Sequence, residues 1–398
     1  MLAESSPMSA IAGLANDRIV EPASAGAGPD RLGLTWRRVD GQEWDRVIAG
    51  FDGVCQEQLY AFAKMRWPAV EQEPVLFERD GVLVGGALMM IQPLPLGLAR
   101  IAVSKWAPML ADNDGADAPA IFDGMVDALK AEYADRRGMM LSILPAASTA
   151  AVNWQYLALR QKGFARGSTL LFPNRYIVNL RLSDAEQRSS FQQTWRRQLN
   201  KAEKAGLSFE HASADRIGAF KTLYAAMTER KQFPDHSAYE TLDGLMALEE
   251  PLRPELFFVH HEGETVAGAL IFKAGDRAVY LYGATNDQAL PLRAGYFLHW
   301  HVIRWLRDNT RARWYDLGGT DGYQGLHQFK KGMVGEAGMI RPVPPVANFA
   351  SRPLAGLLGT AAFAGRDLVH RAQRQLAAWR NPKSRPDQVP HVTEDYLK

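Results

Sequence analysis

Residues 74–88 read PVLFERDGVLVGGAL and residues 254–270 read PELFFVHHEGETVAGAL. In each, an apolar run enters a polar turn with glycine and leaves as a second apolar run, the pattern of a β-hairpin. The shared frame is Pro74/Pro254, Leu76/Leu256, Phe77/Phe257, Gly81/Gly263, Val84/Val266, Gly86/Gly268, Ala87/Ala269 and Leu88/Leu270, with two extra residues before the second turn glycine. One hairpin recurring half a chain later points to a duplicated domain. The order downstream agrees. The first hairpin is followed by a helix-like run from Ala118 to Arg137 and the apolar MMLSIL (139–144). The second is followed by AVYLYGA (278–284), a helix-like run from Ala294 to Asn309, and ARWYDLGG (312–319). Hairpin, helix and strand in both halves predict an α/β (α+β) chain of two tandem sheet domains.

The chain has 398 residues, enough for two ordinary domains. Its 47% hydrophobic and 23% charged content is globular, and a net charge of +2 announces no nucleic-acid partner by itself. The single cysteine, Cys55, excludes an internal disulfide and has no evident histidine partner for thiol chemistry. The expected organisation is a disordered leader (1–32), an N-terminal domain (33–168), a C-terminal domain (169–345), and a basic amphipathic helix with a flexible tail (346–398). No signal peptide or bilayer-spanning run is read, so the expected location is cytoplasmic, with contact at the inner membrane face where that helix permits it. In that helix Leu354, Leu358, Ala361, Leu368, Ala372, Leu376 and Trp379 share one face, and Arg366, Arg371, Arg374 and Arg380 populate the rest. The stripe is expected to pack on the domain, and residues 354–380 would equally suit an anionic membrane surface.

Three dense features in the second half carry the candidate chemistry. TWRRQLNKAEKAG (194–206) places Arg196, Arg197, Lys201 and Lys204 within little more than two helical turns, a candidate surface for an anionic partner. MTERKQFPDHSAY (227–239) closes a helix on Arg230 before Pro234; arginine suits bidentate phosphate or carboxylate recognition. YDLGGTDGYQGLHQFKKGMVGE (315–336) ends a strand at Asp316 and continues through a glycine run from Gly318 to Gly332 that contains Phe329, Lys330 and Lys331. Open sheets bind ligands at the carboxyl ends of strands, and a lysine there can stabilise a developing oxyanion. There is no phosphate-binding GxxxxGK[ST] run, no dinucleotide fingerprint and no HExxH; His299 and His301 sit two apart on one helix, so no metal site is expected.

These three features, in this order, resemble the Fem family of peptidyltransferases, which are built like two fused N-acetyltransferase-like (GNAT) domains. The resemblance covers roughly residues 45–340. It extends to the spacing of Gln56, Tyr60 and Lys64 and to KWAPML (105–110), in which Pro108 ends a strand. It implies two tandem GNAT-like domains and the transfer of an amino acid from aminoacyl-tRNA onto an amine of a peptidoglycan precursor. It also implies roles. Lys64 and Arg230 would hold acceptor phosphates, with Tyr60, Gly318 and Gly319 on the substrate. Phe329 and Lys330 would lie beside the acyl-transfer centre. Asp112, after KWAPML, is a candidate base. Arg196, Arg197, Lys201 and Lys204 would dock a tRNA donor. No cofactor beyond that co-substrate is implied, and the protein is expected to be a monomer. Two other readings stay open: an acyl-CoA-dependent acyltransferase acting on an envelope glycan or lipid, and a non-catalytic module binding envelope precursors. The loop DQALPLRAGYFLHW (287–300) offers Arg293 and a single Gly295, a poor pyrophosphate cradle.

Overall fold

The structure, a computed structural model, describes residues 33–94, 97, 99–231 and 239–380. The expected leader, the Pro234 segment and the tail after Arg380 lie outside them.

Fifteen strands form two sheets among the described residues. They are β1 (Leu34–Arg38), β2 (Glu71–Arg79), β3 (Val82–Pro93), β4 (Arg100–Lys105), β5 (Met109–Leu110), β6 (Met140–Leu144), β7 (Ala165–Arg166), β8 (Asn174–Asn179), β9 (Leu207–Ala212), β10 (Glu255–His261), β11 (Glu264–Phe272), β12 (Arg277–Thr285), β13 (Trp314–Asp316), β14 (Met339–Pro342) and β15 (Ala347–Phe349). The first sheet runs β1-β2-β3-β4-β6-β15-β7 with β5 on β3; the second runs β14-β8-β13-β12-β11-β10-β9. Read from the β1 and β9 edges, the two orders superimpose, so the duplication holds at the level of topology. The exception is instructive. β15, which follows the second sheet in sequence, enters the first sheet, and β8, which opens the second domain, takes the matching place in the second.

The two hairpins are the same turn. Asp80 and Gly81 adopt φ of 52° and 76°, and Glu262 and Gly263 adopt 51° and 84°. Left-handed backbone at both central residues is the two-residue hairpin that matches strand twist. A bulge follows Phe77 in one and Val259 in the other. Turn and bulge together set the register, and they correct the expected frame: Leu76 opposes Gly86, but Phe258, not Leu256, opposes Gly268. The loops are equally long, and the two additional residues fall at the start of β10, next to Pro254. A slip of two leaves every side chain on its original face, which is why the sequence frame looked consistent.

The helices are α1 (Gly41–Ile48), α2 (Tyr60–Arg66), α3 (Ala118–Leu129), α4 (Trp154–Gln161), α5 (Asp184–Ser190), α6 (Gln193–Ala202), α7 (Ile217–Lys231), α8 (Leu242–Met246), α9 (Ala294–Asn309), α10 (Gln324–Val334) and α11 (Pro353–Arg380). Local chemistry starts several of them. Asp40 accepts from Glu43 N at α1, Ser183 and Glu186 form a capping box at α5, and the Asp45 carboxylate receives Tyr60 N and Ala61 N at α2. Helices α3 and α4 cover one face of the first sheet. Helices α6, α9 and α10 cover the outer face of the second. Between the sheets, Trp44, Phe62, Leu76 and Leu88 of the first half share one buried cluster with Phe220, Tyr224, Phe258 and Leu270 of the second.

The repeated glycines make that middle layer possible. A Cβ on Gly86 would lie 2.7 Å from the Trp44 ring and 2.9 Å from Val75 O; one on Gly268 would lie 3.1 Å from the Phe220 ring. In each half an aromatic of the helix after the first strand packs against a glycine of the third.

Helix α11 departs from expectation. It rests on β4 and β6 through Ala355 and Gly359, whose missing side chain admits Met140. The stripe expected to dock faces outwards: Leu354 is 63% exposed and Leu368 68%, Ala361 and Ala372 are exposed, and Leu358 is half-buried. Small residues let the helix approach the sheet more closely than leucines would. The side chains of Leu376 and Trp379 lie outside the described set.

Gly86→Ala is expected to destabilise the protein by about 1–3 kcal/mol, because the indole and a strand carbonyl must both give way. Gly268→Ala meets only ring edges and is expected to cost less. Urea unfolding of the two variants, read by tryptophan fluorescence, compares them directly.

Candidate active site

The parallel pair β12–β13 ends at Val279 and Asp316. Beyond it, β12 continues along β11, while residues 317–318 stay with β8 through Leu317 N to Tyr176 O and Tyr176 N to Gly318 O. A gap therefore opens at the carboxyl end of the pair. Asp316 is fixed on its rim: Arg175 Nε donates to both its oxygens at 3.0 and 3.1 Å, and Gly318 N donates to Oδ1 at 2.9 Å. Gly318 turns the chain there with φ of 76°.

Lys330, from α10, fills the gap. Its Nζ donates to Leu317 O at 2.6 Å and Gly319 O at 2.5 Å and lies 5.9 Å from the Tyr280 ring centre. The residue is 6% exposed and makes no salt bridge among the described residues. Burial first, and the Arg175 charge second, pull its pKa down to about 8. An ammonium has three donors, and two are taken by carbonyls, which leaves one.

The floor is aromatic. A bulge at Leu281 puts Tyr280 and Gly283 on one face of β12, and a Cβ on Gly283 would overlap the Tyr280 hydroxyl. Burial pushes the Tyr280 phenol up to about 12. His299 of α9 is buried 5.0 Å from that ring, with Nδ1 3.1 Å from Tyr315 Oη. Burial, then the Lys330 charge, hold it down at about 3, so it is neutral at working pH. Phe329 points away from the gap and packs on Trp195, Tyr296 and His299. It anchors α10 and thereby places Lys330. Arrayed this way, the site offers one buried cation at a strand end, over uncharged aromatic groups.

Residues 79–240 match the FemAB family and residues 189–331 match an acetyltransferase (GNAT) domain. Over residues 79–240 the chain is thus similar to the Fem family. A stretch of 79 residues is 33% identical to lipid II:glycine glycyltransferase of Staphylococcus aureus and covers 18% of each chain. Among solved structures, FemX superimposes with a TM-score of 0.64 at 18% identity, over 81% of this chain and 99% of that one. A conserved protein of unknown function from Bacteroides thetaiotaomicron VPI-5482 does so with a TM-score of 0.51 at 11% identity, over 79% and 97%. These two likenesses establish the tandem GNAT fold.

The residues carried over from the Fem resemblance are not all brought together. On the first half, Tyr60 opens α2 with its ring against Gly41, and exposed Lys64 holds its Nζ 5.8 Å from that ring. Arg230 lies in the last turn of α7, and its side chain is outside the described set. Helices α2 and α7 nevertheless meet in the shared middle cluster. Lys105 joins the basic end of α2: its Nζ sits 4.0 Å from the Trp67 ring, and burial together with nearby Arg66 and Arg366 lowers its pKa. A cavity of about 340 Å³ between the halves is lined by Trp106, Pro108, Arg175, Arg277, Trp314 and Asp316.

Asp112 is corrected. It is exposed, and its carboxylate accepts from Asp114 N in its own turn. Its neighbours Asn113 and Asp114 bind Asp276 and Arg313, just ahead of β12 and β13. Lys330 lies past the opposite ends of those strands, so Asp112 does not belong to this centre. Arg196 is corrected too: its Nη1 donates to Ser189 O at 2.6 Å and Phe191 O at 2.7 Å, which ties down the end of α5. Arg197, Lys201 and Lys204 remain exposed, with no ion pair among the described residues. Their helix packs on α10 through Trp195, against which Gly332 sits. Sequence reading does not single out Tyr280 or Arg175 and weighs His299 only as a metal ligand; only the Tyr280-to-Gly283 spacing beside a strand bulge could have signalled the first.

Arg196→Ala is expected to lower stability by about 1.5 kcal/mol, since two carbonyls lose a charged donor. Arg197→Ala is expected to leave stability within about 0.5 kcal/mol. Thermal unfolding of both variants checks the division of labour.

Proposed function

We propose that this protein is an acyltransferase that moves an aminoacyl group from aminoacyl-tRNA onto an amine of a peptidoglycan precursor. The observation that carries this reading is Lys330, a buried cation held by two carbonyls at the open end of β12–β13. Similarity to the Fem family supports it, as does the glycyl transfer named for the Staphylococcus aureus relative. The acceptor nitrogen attacks the ester carbon, a C–N bond forms, and the carbonyl electrons move onto oxygen. The remaining Lys330 N–H meets that oxyanion. Collapse breaks the C–O bond to the tRNA ribose, whose oxygen takes the proton released by the nitrogen. Phe329 places the lysine, and Gly318 and Gly319 shape its loop and line the acyl subsite. Tyr60, Lys64 and Arg230 take the acceptor, the two cations on its phosphates. Arg197 and Lys201, on the helix packed against α10, and Lys204, in the turn just after it, take the polyanionic donor.

The deciding experiment supplies the purified protein with either a charged tRNA pool or an acyl-CoA pool, plus lipid-linked and nucleotide-linked muropeptides, and weighs the products. Aminoacylated muropeptide from the tRNA pool alone is expected. Product from acyl-CoA alone would replace the donor, and no product from either pool would favour the binding module.

Lys330→Met is expected to lower kcat by about 10²–10³ with acceptor binding nearly intact, measured by single-turnover kinetics and calorimetry. The lysine is charged below about pH 8 and neutral above. The wild-type rate should therefore fall as pH rises through about 8, and that limb should be missing from the Lys330→Met profile. Replacing Arg197, Lys201 and Lys204 by glutamine should weaken tRNA binding. It should also flatten the log–log salt dependence by about 0.7–0.9 per lost contact, as filter binding across a salt series would show.

A further inference from the structure

Helix α11 presents an apolar face that the protein leaves uncovered. At 100° per residue, Leu354, Leu357, Ala361, Ala364, Leu368 and Ala372 fall within an arc of roughly 80°, on the side away from the docked Ala355 and Gly359. Leu357 is 69% exposed. The 28 residues span about 42 Å, and among the described side chains the buried ones, Ala355 and Gly359, lie in its first two turns. Leucines exposed in a row along one helix mark a surface that something covers.

The charge pattern selects the occupant. The helix contains Arg366, Arg371, Arg374 and Arg380 against a single acid, Asp367. A second copy would set one arginine-rich helix against another, with almost no acid to pair. An anionic lipid surface supplies both needs, acyl chains for the leucines and headgroups for the arginines. No helix among the described residues is long and apolar enough to cross a membrane, so the geometry is one of lying on the surface.

We infer that α11 docks the protein on an anionic phospholipid bilayer, with Leu354, Leu357 and Leu368 entering the headgroup–acyl boundary and arginines at the headgroups. The inference stands without the proposed reaction. If that reaction holds, the docking also places the acceptor end of the protein at the membrane, because Arg366 lies close enough to Lys105 to act on its charge and Lys105 adjoins α2.

The test is flotation of the full-length protein with vesicles of phosphatidylcholine alone or of phosphatidylcholine with phosphatidylglycerol. Binding to the anionic vesicles is expected, weaker at high salt and weaker still on phosphatidylcholine alone. Leu357→Glu with Leu368→Glu changes two exposed residues, so the melting temperature should hold while vesicle binding falls more than tenfold. Transfer to a soluble nucleotide-linked acceptor should be unchanged in that variant, which separates failure of the docking from failure of the reaction. Wild-type protein left unbound by anionic vesicles would overturn the inference, as would a double variant that floats as well as wild type. A dimer by light scattering that the double variant dissolves would assign the face to a second copy instead.

Discussion

The first sheet does not close without β15, a strand that follows the whole of the second sheet in sequence, and the second sheet is built on β8, which follows directly after β7. Residues 165–179 and 339–349 form one antiparallel ribbon that passes from sheet to sheet. Arg166 opposes Ala347 in the first, Asn174 opposes Pro342 in the second, and between them Gly167 N bonds Val346 O and Val343 N bonds Pro173 O. The halves are thus joined by a continuous ladder as well as by the shared middle cluster. Sliding one half on the other would break both at once. The centre depends on this ribbon directly: β8 supplies Arg175 to Asp316 and the Tyr176 backbone to Leu317 and Gly318. The carbonyls that hold Lys330 are placed by a strand some 140 residues distant in sequence.

Holding a lysine there costs stability. Its pKa falls from 10.5 unfolded to about 8 folded. Between those values the unfolded chain binds more protons, so the penalty is complete below about pH 8 and is relieved as pH rises towards 10.5. The size is on the order of 3 kcal/mol. A carboxylate partner would offset it but would also neutralise the cation. Asp316, the nearest buried acid, is occupied by Arg175 instead. Leu317 O and Gly319 O solvate the ammonium without discharging it, an arrangement in which stability has been given up for local charge.

What the sequence made legible follows from range. The existence of the two hairpins and the helix–strand alternation depend on neighbours within about ten residues and match the structure, whereas the glycine run read as a loop turns helical from Gln324, so that Phe329 and Lys330 sit on α10. The entry of β15 into the first sheet and the central place of β8 in the second are not legible, since strands of three to six residues carry no mark of a distant partner. Arg196 looked like its exposed neighbours because position on a helix does not reveal that carbonyls of the preceding helix end within its reach. Asp112 was chosen for its place after KWAPML, but strand ends are brought together by topology, and its loop lies at the wrong end. The outward turn of the α11 stripe shows the same limit: periodicity finds a face, while packing decides which face docks.

The duplication also explains why only one half carries the centre. Both halves break regular pairing at the same point, Leu88 in one and Leu270 in the other. From Gly268/Ala284 to Phe272/Val279 the outer strand spends one residue more than β11, the bulge at Leu281. From Gly86/Met109 to Met90/Val103 it spends two more than β3, and the chain leaves the sheet at Trp106–Pro108. A one-residue bulge keeps β12 continuous and turns Tyr280 along it onto Gly283, which floors a gap that a lysine can enter. The larger excursion separates β4 from β3, and Gln58 fills that opening: its amide bonds Lys105 O, and its carbonyl receives Leu88 N at 2.9 Å. An inserted amide restores the ladder but closes the space to any other group. One additional residue in a strand thus divides the work, leaving an open gap with a cation in the second half and a sealed sheet in the first.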